Sequence, residues 1–437
     1  MTIQPVTLTG TTIIRRLKMD HSTAFTTADI LLPTKADMTR WAVVACDQFT
    51  SQRDYWEKAA KITKGSPSTL DLILPEAYLN DADAEDRIAD IRSAMDRYLE
   101  DNIFTEYKDS FIYVRRTDST GKVREGIVGM IDLEKYDYNK GSTSEVRATE
   151  ATVAERIPPR LKVRRGAALE LPHIMILIDD PAKTVIEPLA DMDLKTVYDF
   201  DLMLGGGHIE GRLVDNENAK AVDTALAELA KKENFEKRSY VTDVPVLLYA
   251  MGDGNHSLAT AKAYYEELKQ QNPGKDLSDH PARYALCEIV NLHSPALEFE
   301  AIHRIIEGVD PSKFLIDMTA ALGLTDNNCP QYFEMIIGSE TYRAGITKPT
   351  SNLTVGSVQE FIDDYISKNG GTVDYIHGAD VVKKLAAKPD TVGVILPDMS
   401  KEELFPTVIK DGALPRKTFS MGHAEDKRYY VEARKIR

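Results

Sequence analysis

The sequence predicts a mixed α/β fold (α+β mixed). Three observations carry that expectation. Short apolar runs with strand character alternate with segments of helical period. No repeat or low-complexity tract interrupts them. The hydrophobic fraction, 43% of 437 residues, is enough for a sizeable core and for two domains or one elaborated domain.

Taken in order, Trp41-Ala-Val-Val-Ala-Cys46 reads as a buried strand. Asp83 to Asp101 reads as a helix, because Ile88, Ile91, Met95 and Tyr98 recur at spacings of three or four. Phe111-Ile-Tyr-Val114 and Ile127-Val-Gly-Met-Ile131 flank the polar turn 117–121 and predict a hairpin. His173 to Ile178 is a strand closed by Asp179-Asp180-Pro181. Gly205-Gly-Gly-His-Ile-Glu-Gly-Arg212 reads as a structural hairpin, with His208 and Glu210 on one face.

Asn216 to Lys232 is a helix that buries Val222, Leu226 and Leu229. Tyr284 to Val290 is a strand. Ser357 to Ser367 is a helix carrying Val358, Phe361, Ile362 and Tyr365, and Val392 to Leu396 is a late strand followed by a short helix. A boundary falls near 308–330, where Gly323 and Asn327-Asn-Cys-Pro330 break the helical pattern.

The charge balance excludes some classes of partner. A net charge of −15 repels nucleic acid and anionic membrane unless a basic patch is concentrated locally. No apolar stretch approaches the roughly 20 residues of a membrane span. The N-terminus has no signal-peptide pattern. Cys46, Cys287 and Cys329 show no CxxC spacing, which suits reduced thiols in a cytoplasmic protein. No HExxH, GxSxG or EF-hand pattern occurs.

The most informative stretch is Val244 to Met251 running into Gly252-Asp-Gly-Asn-His256, then the amphipathic segment from Ser257 to Leu268. It reads as a strand, a tight polar turn and a helix. Such a turn presents free N–H groups and the positive end of the helix dipole to an anion, most plausibly a phosphate. Gly252 and Gly254 would admit close backbone approach. Asp253 would orient Mg²⁺ or a hydroxyl, and His256 would touch a phosphate oxygen. An ordinary turn capped by Asp or Asn is the alternative. The spacing is neither GxxxxGK[ST] nor GxGxxG.

Four other features complete a candidate site. Arg156, Arg160, Lys162, Arg164 and Arg165 form a basic run that reads either as a phosphate clamp or as a solvated loop. Glu150, and less so Glu155, reads as metal ligand or base, or else as an exposed helix carboxylate. Asp47 lies where strand ends commonly meet ligands, or else is a turn or cap carboxylate. Leu414-Pro-Arg-Lys-Thr-Phe-Ser420 brings Arg416 and Lys417 from the far end of the chain to an anion site, or forms a solvated basic turn.

Together these segments resemble the large family, long catalogued as of unknown function, that contains the SerK-type free serine kinases. The matching stretches are Trp41 to Ser51 with Tyr55-Trp56, Leu72-Ile-Leu-Pro-Glu76, Arg147 to Thr152 through Glu170-Leu-Pro-His173, and Gly205-Gly-Gly-His208. Gly252-Asp-Gly-Asn-His256, Ala301-Ile-His-Arg304 and Leu414-Pro-Arg-Lys-Thr418 follow in the same order.

The resemblance implies a ParB/sulfiredoxin-like core with mixed sheets and extra α/β elaborations. It also implies transfer of phosphate from ADP or ATP, with Mg²⁺, to the hydroxyl of serine or a similar metabolite. The family loop reads D-G-H-H-R. Here Asp253, Gly254 and His256 match, Asn255 replaces the first His, and Ser257 stands where the Arg is expected. Arg304 or the basic run would then supply the missing charge.

The expectation is therefore a small-molecule kinase with Asp47, Glu150, Asp253 and His256 as catalytic residues. Gly252, Gly254, Asn255, Ser257, Arg160, Arg164, Arg304 and Lys417 would bind nucleotide, and Asp253 and Glu150 would hold metal. Its ligands would be a small-molecule substrate and a nucleotide, with no nucleic acid and no membrane, and a homodimer left open. Residues 1–310 would form the catalytic region with an N-terminal elaboration. Residues 311–437 would form a C-terminal α/β region returning to the site through 414–420. A nucleotide-binding regulator without significant catalysis is the alternative.

Overall fold

The computed structural model describes residues 22–152 and 154–437. Within them the architecture is mixed α/β, as the alternation of apolar runs and helical segments predicts. The larger sheet has 11 strands and mixes parallel with antiparallel neighbours. Its centre runs Val146–Arg147, Tyr249–Asp253, Met175–Ile178, Tyr284–Asn291, Val123–Asp132 and Phe104–Thr117. Tyr249–Asp253 is parallel to Val146–Arg147 and antiparallel to Met175–Ile178, which is itself parallel to Tyr284–Asn291. Near-continuous apolar runs such as Met175–Ile178 are buried on both faces, as central strands require.

The hairpin around 117–121 forms, with Ile112 opposite Val128 and Val114 opposite Gly126. Asp118 organises its turn by accepting N–H bonds from Thr120 and Lys122. The helix Ala84–Glu100 buries Ile88, Ile91, Met95 and Tyr98, the four positions that its period selects. Thr354–Asn369 likewise buries Val358, Phe361, Ile362 and Tyr365. The expected hairpin at 205–212 is structural. His208 sits between Asp199 and Asp201, each 2.7 Å away, and Glu210 pairs with Arg212.

A second sheet of six strands draws on 303–395, with His303–Glu307 between Thr372–Ile376 and Thr391–Ile395. The helix Pro311–Leu322 ends at Gly323, whose φ of 62° is the left-handed stop expected there. The three cysteines are unpaired. Among the described residues no helix is long and apolar enough to cross a membrane.

One expected element differs. Trp41 to Cys46 is not a ladder strand. Asp37 caps a single helical turn, Met38–Trp41, and the following residues run extended and buried. Their backbone pairs with the C-terminal segment instead, through Tyr430 N–H to Val43 O and Ala45 N–H to Arg428 O. The Trp41 indole also donates to Val431 O at 2.9 Å. An apolar run guarantees burial but not a ladder partner. This pairing is what places Asp47 beside the end of the chain.

Candidate functional site

The strand Tyr249–Asp253 ends at Gly254, and the helix Asn255–Gln271 starts immediately after it. Gly254 is the N-cap residue, with φ 80°, and no side chain caps the helix. A Cβ there would stand 3.1 Å from the Ile174 backbone, so a close packing contact and the left-handed conformation both favour glycine. The alternative of an Asp or Asn cap is not what forms. Asp253 Oδ1 accepts the Gly254 N–H at 2.8 Å, and Asn255 Oδ1 accepts the Thr149 N–H at 3.3 Å. Among the described residues the helix therefore opens without a side-chain acceptor at its positive end.

That end lines a polar cleft of about 750 Å³. Asp47, Glu150, Arg160, Lys417 and the whole stretch 252–257 reach it, from segments far apart in the chain. Arg156, Glu76 and Lys427 join them. Among the described residues its lining holds five carboxylates (Asp47, Glu76, Glu150, Glu155, Asp253) and four cations (Arg156, Arg160, Lys417, Lys427). The cations are thus largely balanced before any ligand arrives.

The basic run divides. Arg156 and Arg160 are one helical turn apart and both face the cleft. Arg160 is held by Glu76 and donates to Arg156 O at 2.7 Å. Arg164 does not reach the cleft. It pairs with buried Glu170 at 2.6 Å, behind the site. Lys162 and Arg165 pair with Glu85 and Glu267 on the surface, where solvent screening leaves such contacts worth little.

Arg304 is also absent from the cleft. Its side chain is fully buried and donates to Gln359, to the carbonyl of Ile302 and, at 3.0 Å each, to the carbonyls of Arg416 and Lys417. A guanidinium spent this way cannot grip a phosphate. It positions the loop that carries Lys417, whose own φ is 54°. Arg416 pairs with Asp363.

Glu150 lies in an isolated bridge with Leu414. Burial pushes its carboxyl above the usual range, against the opposing pull of Lys417, and Asp253 pushes it further the same way. Asp253 behaves differently. Burial raises its carboxyl, but the Lys427 ammonium at 3.1 Å, His173 and the Gly254 N–H outweigh that and hold it below normal. Among the described residues no group of three or more His, Cys, Asp or Glu could hold a metal ion. With Asp253 committed to Lys427, Glu150 and Asp253 do not by themselves make the expected Mg²⁺ site.

His256 is pushed down to about 4, by burial first and then by Arg160 and Arg156. It is neutral at physiological pH. Since the folded state resists its protonation, stability should fall as pH drops from 6.5 toward 4, by at most about 3 kcal/mol. Urea unfolding across that window, with His256→Gln flattening the slope, checks this. An anionic ligand at the helix end should raise the His256 value, which an NMR titration of its ring protons would read.

Sequence reasoning missed a second group. Ser257 Oγ lies 2.8 Å from His173 Nε2, and the Tyr430 hydroxyl lies 2.6 Å from His173 Nδ1. The Cys46 N–H donates to Tyr430 at 3.1 Å, and Asp47 Oδ2 stands 3.8 Å from His173 Nε2. His173 thus ties the position of the expected Arg to Asp47. Lys427 and Tyr430 carried no local pattern; Glu76 and His173 lay within matching motifs but were assigned no role. Beyond the Glu76–Arg160 pair lies an apolar cavity of about 150 Å³, lined by Leu72, Leu74, Met95, Val163 and Leu286.

A model of the family described as "Protein of unknown function (DUF1015)" matches residues 28–365. The chain belongs to this DUF1015 family. No curated protein matches it. Among solved structures, similarity extends to SbnI with a C-terminal truncation from Staphylococcus aureus, at 11% identity and TM-score 0.36, over 68% of this chain and 82% of that one. A free serine kinase in complex with AMP is similar at 12% identity and TM-score 0.36, over 72% and 93% of the two chains. A conserved hypothetical protein from Pyrococcus furiosus is similar at 12% identity and TM-score 0.33, over 69% and 91%.

Proposed function

We propose that this DUF1015 protein is a small-molecule kinase that moves a phosphoryl group from ATP or ADP to the hydroxyl of serine or a similar metabolite. The observation that carries the reading is the uncapped start of the helix Asn255–Gln271, opening into a cleft lined by Lys417, Arg156 and Glu150. The resemblance of the 252–257 loop to that of free serine kinases supports the acceptor class.

In this reading the terminal phosphate rests on the first-turn N–H groups of the helix, with Arg156 and Lys417 neutralising its oxygens. The apolar cavity beyond Arg160 offers contact for a nucleobase. The acceptor hydroxyl oxygen attacks the terminal phosphorus. That O–P bond forms as the bond to the nucleoside di- or monophosphate breaks, and the hydroxyl proton passes to a carboxylate. Glu150 suits that role best, since its raised proton affinity makes it a better base than a solvated carboxylate. Asp47 is the other candidate. The division at 310/311 is part of the proposal, the second region contributing Lys417. Divalent cation would enter as part of the nucleotide substrate.

Purified protein given Mg²⁺, ATP or ADP and free serine should yield O-phosphoserine. Absence of that product with every nucleotide and several hydroxy metabolites would reject the reading. The second reading, a nucleotide-binding regulator, has one specific support: Ser257 and the Glu76-bound Arg160 leave little uncommitted charge at the helix end. Tight nucleotide binding without turnover would favour it.

A further inference from the structure

Behind Asp253 and Lys427 lies a second, small cavity of about 40 Å³, sharing Asp253, Met421 and Lys427 with the cleft. Arg116 and Arg124 line it. Arg116 is only 2% exposed, and its Nε and Nη1 have no hydrogen-bond partner among the described residues. Its Nη2 donates to Glu425 O at 3.1 Å, and its guanidinium lies over the Tyr429 ring.

The nearby carboxylates are paired with other groups, and Asp426 and Glu288 favour the Arg116 cation only from a distance. Glu288 faces Arg428 at 3.0 Å and Arg124 at 3.4 Å. Glu298 pairs with Lys122, and Asp253 with Lys427. Asp118 and Asp426 accept backbone N–H groups of the 117–122 turn. Among the described residues none pairs with Arg116 within 4 Å. A buried guanidinium without a paired anion is costly, and the Glu425 carbonyl, the Tyr429 ring and the more distant Asp426 and Glu288 offset only part of that cost. Burial, and then the neighbouring Arg124, lower its proton affinity to about 10, so it stays cationic at neutral pH.

We infer that Arg116, with Arg124, binds the carboxylate of a small acid whose hydroxyl extends past Asp253 into the cleft. The volume has room for one carboxylate or about two to three waters. The inference rests on the kinase reading only for the hydroxyl; it narrows the acceptor to hydroxy acids or amino acids. The planar fork of Arg suits a carboxylate through two parallel bonds.

Calorimetry on the full chain at low ionic strength tests it, with L-serine, glycerate, L-serinamide and inorganic phosphate as probes. L-serine and glycerate should bind, and serinamide at least about tenfold more weakly. Arg116→Gln should weaken L-serine by a similar factor and leave ADP affinity within about twofold, with Arg116→Lys between. Equal binding of serine and serinamide, or no binding of either acid, overturns the inference. Phosphate binding more tightly than both acids overturns it too, assigning the anion to the nucleotide side. If Arg116→Gln does not fold, the contrast between serine and serinamide on the unaltered protein still decides. Serine binding in a protein that fails to bind ADP would sustain this inference while sinking the kinase reading.

Discussion

Glu150→Gln is expected to lower phosphoryl transfer about 100- to 10,000-fold while leaving nucleotide affinity nearly unchanged. The amide keeps the shape and the acceptor oxygen facing the Lys417 N–H, but it cannot take a proton. The acid limb of the rate profile should vanish with it, because activity falls as pH drops through the raised value of Glu150. Stability should move the other way. A carboxyl whose value is raised on folding contributes most below its unfolded value, and that contribution is lost as pH rises through the folded one. At neutral pH the ionised carboxylate is therefore a burden, and the amide variant should melt at the same temperature or higher. Unimpaired turnover in a well-folded Glu150→Gln protein would move the base to Asp47, where Asp47→Asn should then carry the loss.

Arg304→Ala should cost about 3 kcal/mol or more in urea unfolding and weaken nucleotide binding without touching the ligand. The side chain satisfies Gln359 and three backbone carbonyls in a site closed to water. Each acceptor left bare costs about 1–3 kcal/mol, before the loss of packing against Tyr375 at 4.9 Å. Freed of its anchors, the 416–417 loop should relax from its left-handed residue, and Lys417 should leave the cleft. Arg304→Lys should restore part of the stability but not the fork of contacts. A loss below about 1 kcal/mol would contradict the anchoring role.

Much of the fold was legible because it depends on local period. The large apolar side chains buried by Ala84–Glu100 (Ile88, Ile91, Met95, Tyr98) and by Thr354–Asn369 (Val358, Phe361, Ile362, Tyr365) follow from a 3.6-residue repeat, and the 117–121 hairpin from turn chemistry. Trp41 to Cys46 shows where that reading stops. Its composition announces burial, yet its partner is the C-terminal segment, which no local pattern names.

The candidate site divides along the same line. The strand, turn and helix at 249–271, with glycine where a positive φ is needed, were readable in one stretch. The basic run was not, because five cations in ten residues look alike until each meets its carboxylate. Only then do Arg156 and Arg160 face the cleft, while Arg164 turns back to Glu170. Arg304 could be read as a phosphate ligand from its charge, but a charge says nothing of which acceptors surround it.

By itself the sequence determined the class of fold, the strand, turn and helix at 249–271 and the acidic net charge. Tertiary structure decided which charges are spent on one another, that Asp253 belongs to Lys427, and that Arg116 is buried with no carboxylate pairing with it among the described residues. The physical reason is range. Helical period and turn geometry act over a few residues, whereas ion pairing and desolvation depend on neighbours that only the folded chain brings within about 4 Å.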